Sequence, residues 1–136
     1  MLRDTHVLIW LAEGRRLISG ARAAIDAAAQ ANLLARAATS AWDVGLLATQ
    51  TGVTGKLFRG DARIWFAEIA EKLQLRLIPF DTVIALEAAY LPGDFHRDLS
   101  DRWIVATALA AKATLVTADR RIIAYGQAGH VEIMRA

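Results

Sequence analysis

The sequence predicts an α/β fold, a three-layer sandwich with a mostly parallel central sheet and helices on both faces. Three observations predict it. Short apolar runs alternate with longer segments of helical periodicity, the pattern of a parallel sheet joined by crossover helices. The run at 114–117 is short and apolar, as a strand covered on both faces requires. The 136 residues contain no repeat, linker or low-complexity tail, so a single domain over 1–136 is expected.

Each element has its local reason. Residues 2–5 read as the end of a short strand and 6–13 as a helix stopped near Gly14. Ser19 is placed to cap an Ala-rich helix reaching Gln30. Residues 33–39 form the second strand, and Ser40 caps a helix to about Gln50 with Trp42, Leu46 and Leu47 at helical spacing. The glycine-bearing stretch 51–60 reads as a loop. Asp61 caps a helix over 62–73 whose apolar side is Ile64, Trp65, Ile69 and Leu73. Residues 75–79 are the third strand, and Asp81 caps a helix to Tyr90. Pro92 and Gly93 mark a loop over 91–97. A strongly apolar helix over 99–112 turns Ile104, Val105, Ala108 and Leu109 inward. The strand at 114–117, a helix begun by Asp119 and a last strand at 131–134 complete the chain.

Composition excludes several classes. A hydrophobic fraction of 55% is too high for a disordered chain. No cysteine is present, which rules out disulfides and thiolate metal sites and suits the cytoplasm. No run approaches the ~20 apolar residues that span a bilayer. The apolar stretch 7–12 is flanked by Asp4 and Glu13 and lacks the basic start of a signal peptide. Of 16 basic side chains 13 are Arg and three Lys, at a formal charge of only +2. Codon usage in a GC-rich genome accounts for that excess, so charge alone does not point to nucleic acid.

The acids carry more. Ligands of parallel sheets bind beyond the carboxyl ends of the strands. Asp4 ends the first strand, and Asp119 follows the fourth by two residues. Asp98 and Asp101, three apart, share one face of a helix's first turn. Asp43 lies one turn into the helix after the second strand. Asp98 and Asp119 also suit helix capping. Asp4 in an apolar strand and Asp43 between Trp42 and Val44 lack so simple a reason. Four or five carboxylates at one edge repel unless a cation neutralises them. Mg²⁺ or Mn²⁺ does so with oxygen ligands, and phosphodiester hydrolysis is the chemistry that follows. His6, His96 and His130 are scattered without zinc spacing; His6 is the one near enough to touch the acids, and a structural role is its first expectation.

These residues resemble a known family. The segment LRDTHVLIWLAEG is similar to the first strand and helix of VapC-type PIN domains. TSAWDVGLL resembles the family's second acidic element, and HRDLSDRWIVATALAAKATLVTADRRI its third and fourth. The resemblance spans nearly the whole chain in the family's order. It implies a PIN-like sandwich and an endoribonuclease using Mg²⁺ or Mn²⁺. Asp4, Asp101 and Asp119 match the metal-binding acids, and Asp98 an accessory acid. Thr117 matches a hydroxyl residue that orders the site. The resemblance also implies a homodimer and a VapB-type antitoxin that covers the acidic site. Three positions depart from the pattern. Asp43 stands where Glu is usual, shortening the reach by about 1.5 Å. Leu99 stands where Pro is frequent, a change of helix entry. Arg3 precedes Asp4 where an apolar residue is usual; the expectations are a frayed first strand, a misplaced start codon, or an arginine facing outward toward RNA.

The resulting expectation is a metal-dependent endoribonuclease toxin with Asp4, Asp43, Asp101 and Asp119 catalytic. Arg102 steadies a carboxylate, approaches phosphate or forms a structural ion pair. The alternative, motivated by Asp43, is an inactive PIN-fold module working through antitoxin or nucleic acid. A phosphatase is disfavoured, because no Asp-x-Asp follows the first strand and Lys112 is the one lysine near the acidic segment. An apolar groove for a partner helix is expected, with Trp10, Trp65 and Phe66 as its wall unless they are core.

Overall fold

The computed structural model describes residues 1–50, 58 and 60–136; most of the loop expected at 51–60 lies outside the described residues. Five strands build one sheet: β1 (Leu2–Arg3), β2 (Ala35–Ala37), β3 (Arg76–Ile78), β4 (Leu115–Thr117) and β5 (Ile133–Arg135). Their order is β3-β2-β1-β4-β5, and every pairing is parallel. The described helices are α1 (Thr5–Ala12), α2 (Ser19–Gln30), α3 (Thr39–Thr49), α4 (Ala62–Lys72), α5 (Thr82–Ala89), α6 (Leu99–Ala110) and α7 (Arg120–Gln127).

The strands are short because two helical layers, rather than long ladders, provide the burial. Side chains alternate across the sheet. Leu2 and Leu115 face one core with Ile84, Ile104, Val105 and Ile122. Val116 faces the other with Val7, Leu8, Ile25, Leu34 and Phe66. Leu115 and Val116 are fully buried, so β4 reads as an apolar run rather than an alternating one, and β1 is buried on both faces as well.

The capping aspartates behave as the sequence predicts. Asp61 accepts from the Arg63 N–H, Asp81 from Ile84, Asp98 from Asp101, and Asp119 from Arg121 and Ile122. The serines do not. Ser19 is the first helical residue of α2 with no capping hydrogen bond from the preceding Ile18, and Ser40 is a buried first-turn residue of α3. The buried faces of α3 and α4 also differ from expectation. In α3 the packed positions are Thr39, Ser40 and Val44, while Trp42 and Leu46 are exposed. In α4 Phe66 and Ala70 are buried, the expected Trp65, Ile69 and Leu73 are half-buried against the same core, and Ile64 alone of the expected side is exposed. Both helices carry more apolar residues than one face holds, so periodicity alone does not fix their rotation. Phe66 is therefore core; Trp65 is half-buried with its ring edge-on to Phe58, and Trp10 is half-buried as well.

Arg3 neither frays β1 nor reaches outward. It is 1% exposed, and burial pushes its guanidinium down to about 10.

Candidate functional site

The chain leaves β1 toward β2 and β3 on one side, while β4 and β5 lie on the other. This makes the β1–β4 boundary a switch point, where crossover connections diverge and leave a crevice beyond the strand ends. Asp4 follows β1 directly, and Asp119 follows β4 by two residues. Register brings them together: Arg3 pairs with Val116, and the Asp4 N–H donates to the Val116 carbonyl at 3.0 Å. Thr117, fully buried, then links the two acids. Its hydroxyl donates to Asp4 Oδ2 at 2.6 Å and accepts from the Asp119 N–H at 3.0 Å.

Asp4 is the N-cap residue of α1 by backbone position but makes no side-chain capping bond. Its carboxylate is thus left for the site. Burial pushes Asp4 up from its ordinary range, opposed by the Thr117 hydroxyl, by the His6 ring and by the His6 backbone N–H. His6 therefore lies near enough to Asp4 to act on its charge.

Asp43 enters from α3. It accepts from the Thr5 hydroxyl at 2.7 Å and from the Ser100 hydroxyl, so three helices meet on one carboxylate. Neither hydroxyl figured in the sequence reading. The available signal was position, since Thr5 follows Asp4 and Ser100 precedes Asp101.

Asp101 reports the whole cluster. Its carboxyl is pushed up to about 7, first by burial and then by Asp119, Asp98, Asp4 and Asp43. The other four acids named from the sequence thus lie close enough to act on Asp101. Asp98 meets Asp101 through the cap bond at 3.2 Å. His96, another residue missed in the sequence, places Nε2 3.3 Å from Asp101 Oδ2 without hydrogen-bond alignment. Arg102 is the one residue of the set that stands apart. Its four hydrogen bonds go to the carbonyls of Ala88, Ala89, Phe95 and His96, and none to a carboxylate. It ties the end of α5 to the segment carrying His96, so neither an ion pair nor a free phosphate contact describes it.

The donor chemistry fits a hard divalent cation: the acids offer oxygen alone, and their excess negative charge is what raises Asp101. Among the described residues no three carboxylate or imidazole groups already stand in metal-ligating geometry. Mutual repulsion opposes such closure while the charges are uncompensated.

A model of the PIN domain matches residues 1–127. The chain belongs to the PIN-domain family. Its PIN domain is 35% identical over 123 residues to ribonuclease VapC22 of Mycobacterium tuberculosis strain ATCC 25618 / H37Rv, covering 90% of this chain and 88% of that protein. The fold matches VapBC2 from Rickettsia felis bound to a promoter DNA fragment, with a TM-score of 0.71 at 13% identity over 99% of this chain and 97% of that one. It also matches VapBC-1 from nontypeable Haemophilus influenzae, with a TM-score of 0.61 at 14% identity over 98% and 96% of the two chains. At such identities the structures speak for the PIN fold, and the VapC22 relative speaks for the branch.

Proposed function

We propose that this PIN domain is an Mg²⁺- or Mn²⁺-dependent endoribonuclease, the toxin of a type II pair neutralised by a VapB-type antitoxin in the cytoplasm. One observation supports the reading: Thr117 bridges Asp4, after β1, to Asp119, after β4, and these acids with Asp43 of α3 and Asp98 before α6 raise the Asp101 carboxyl, as a cation-binding cluster would. The ribonuclease name of the VapC22 relative and the toxin–antitoxin complexes among the fold's neighbours support the substrate and the partner.

Asp4, Asp101 and Asp119 hold the ion, with Asp43 and Asp98 beside them. When bound, it supplies a water of lowered pKa and offsets charge on the phosphoryl group. The protein's own part is positioning. Thr117 fixes Asp4 against Asp119, and Thr5 and Ser100 hold Asp43, the position where the family usually has Glu. Held in this way, a short Asp stays in the cluster, which favours the enzyme over the inactive module. A proton leaving Asp101 finds the His96 imidazole beside it.

Homodimerisation is supported by the surface of α5 and α6. Val83, Leu86, Tyr90 and Leu99 are at least 60% exposed on or beside these helices, apolar side chains of the kind an interface between copies would cover.

The test is cleavage of total RNA by purified protein with Mg²⁺, Mn²⁺ or chelator. Cleavage that needs the metal and disappears in folded Asp4→Asn and Asp101→Asn is expected. Full activity in either variant would refute the assignment of the site.

A further inference from the structure

The side chain of Arg3 has no use in the acidic site and no obvious use elsewhere. It lies in the central strand, opposite in direction to Leu2, and is 1% exposed. One of its hydrogen bonds is made, from Nη2 to the Ala35 carbonyl at 3.3 Å. Nε and Nη1 are buried with no partner. Among the described residues Arg3 forms no ion pair within 4.0 Å. A buried, uncompensated guanidinium is costly, and a fold normally neutralises it. Here its cross-strand neighbour adds to the charge. Arg36 is the register partner of Arg3; its Nε is buried without a hydrogen bond, and its guanidinium lies over the Phe66 ring at 4.7 Å.

Arg3 lines a cavity of about 210 Å³ together with Arg22, Asp26, Lys72 and Gln74. The acid there is already engaged: Asp26 accepts from Arg22 Nε at 3.0 and 2.9 Å. Three cations thus surround one carboxylate, which leaves net positive charge facing the cavity. Leu34 and Gln74, which precede β2 and β3, also line it, so it opens toward the amino ends of the strands. The acidic cluster lies at the opposite ends.

We propose that this cavity binds a small oxyanion, held at its mouth by Arg22 and Lys72 and drawn by the uncompensated charge of Arg3 in its wall. The exposed donors of Arg22 and Lys72 match the acceptor oxygens of phosphate or carboxylate, and the buried Arg3 guanidinium adds attraction without contact. The volume accommodates such a group with waters around it. Lys72 and Arg22 are exposed, so the anion enters from solvent without unfolding the core. The anion removes the charge penalty in the folded state alone, and therefore stabilises the fold as its concentration rises.

Thermal unfolding of the full chain tests this, in chelator so that no metal ion recruits phosphate to the acids. Inorganic phosphate and acetate are titrated separately against chloride at matched ionic strength. A saturable rise in Tm is expected, about 4 °C at ten times the dissociation constant. Its size with phosphate relative to acetate tells which oxyanion the site prefers. Arg3→Met abolishes the response and melts no lower than wild type without anion, since it removes the buried charge. Arg22→Ala keeps the fold and weakens the apparent affinity severalfold. A flat Tm, a rise equal to that in chloride, or a wild-type response in a folded Arg3→Met or Arg22→Ala chain overturns the proposal.

Discussion

Metal affinity should fall with acidity through Asp101, and in the same direction through Asp4, which burial also pushes up. In the metal-free protein Asp101 sits at about 7, raised first by burial and then by Asp119, Asp98, Asp4 and Asp43. A cation needs the ionised form, so binding competes with a proton. Near pH 8 roughly one Asp101 in ten is protonated, and near pH 6 about ten for every ionised one. Apparent affinity for Mn²⁺ is therefore expected to drop about tenfold between those values. Stability has the opposite sign. The folded value lies above the ordinary 3.8, so between the two the folded chain binds the extra proton. Without metal, stability contributed by this group is present below about pH 4 and is lost as pH rises toward 7. Calorimetric titration of Mn²⁺ across this range, paired with melting in chelator, measures both trends. Asp98→Asn sharpens the test. Asn still caps α6 but carries no charge, so the midpoint of the affinity profile should move to lower pH. Affinity that stays flat from about pH 6 to 8, or a midpoint that Asp98→Asn leaves in place, would sink the reasoning.

Thr117→Val keeps shape but leaves Asp4 and the Asp119 N–H without their shared hydroxyl; a loss of about 1–3 kcal/mol in denaturant unfolding and weaker metal binding are expected. Gly126→Ala puts a Cβ 2.5 Å from Ile133 Cγ1, and overpacking of about 1–3 kcal/mol outweighs the gain of about 1 kcal/mol in helix propensity, giving a lower Tm. Arg102→Lys cannot reproduce four carbonyl contacts, so faster hydrogen exchange over residues 88–96 and reduced cleavage should appear together. If the α5–α6 surface joins two copies, Leu86→Glu should sediment as a monomer at concentrations where the wild type does not.

The acids were legible because capping and strand ends are local signals. An aspartate before a helix or just after an apolar strand announces itself within a few residues, as Asp4, Asp98 and Asp119 do. The order of strands and helices was legible for the same reason, since the alternation of periods is written along the chain. Rotation of α3 was not, nor the outward turn of Ile64 in α4, because each helix carries apolar residues around more of its circumference than the core accepts. Thr5, Ser100 and His96 were also invisible as site residues. Thr5 and Ser100 reach Asp43 across 38 and 57 residues of sequence, and no local pattern encodes such a meeting.

Arg3 marks the boundary most sharply. By itself the sequence determined that a cation stands beside Asp4 in a strand expected to be apolar, and that acids recur at the strand ends. Only the tertiary structure decided that this cation is buried, unpaired and turned toward a cavity at the other end of the sheet from the acids. The physical reason is that a residue's type fixes its charge, whereas the cost or use of that charge depends on which chain segments pack around it.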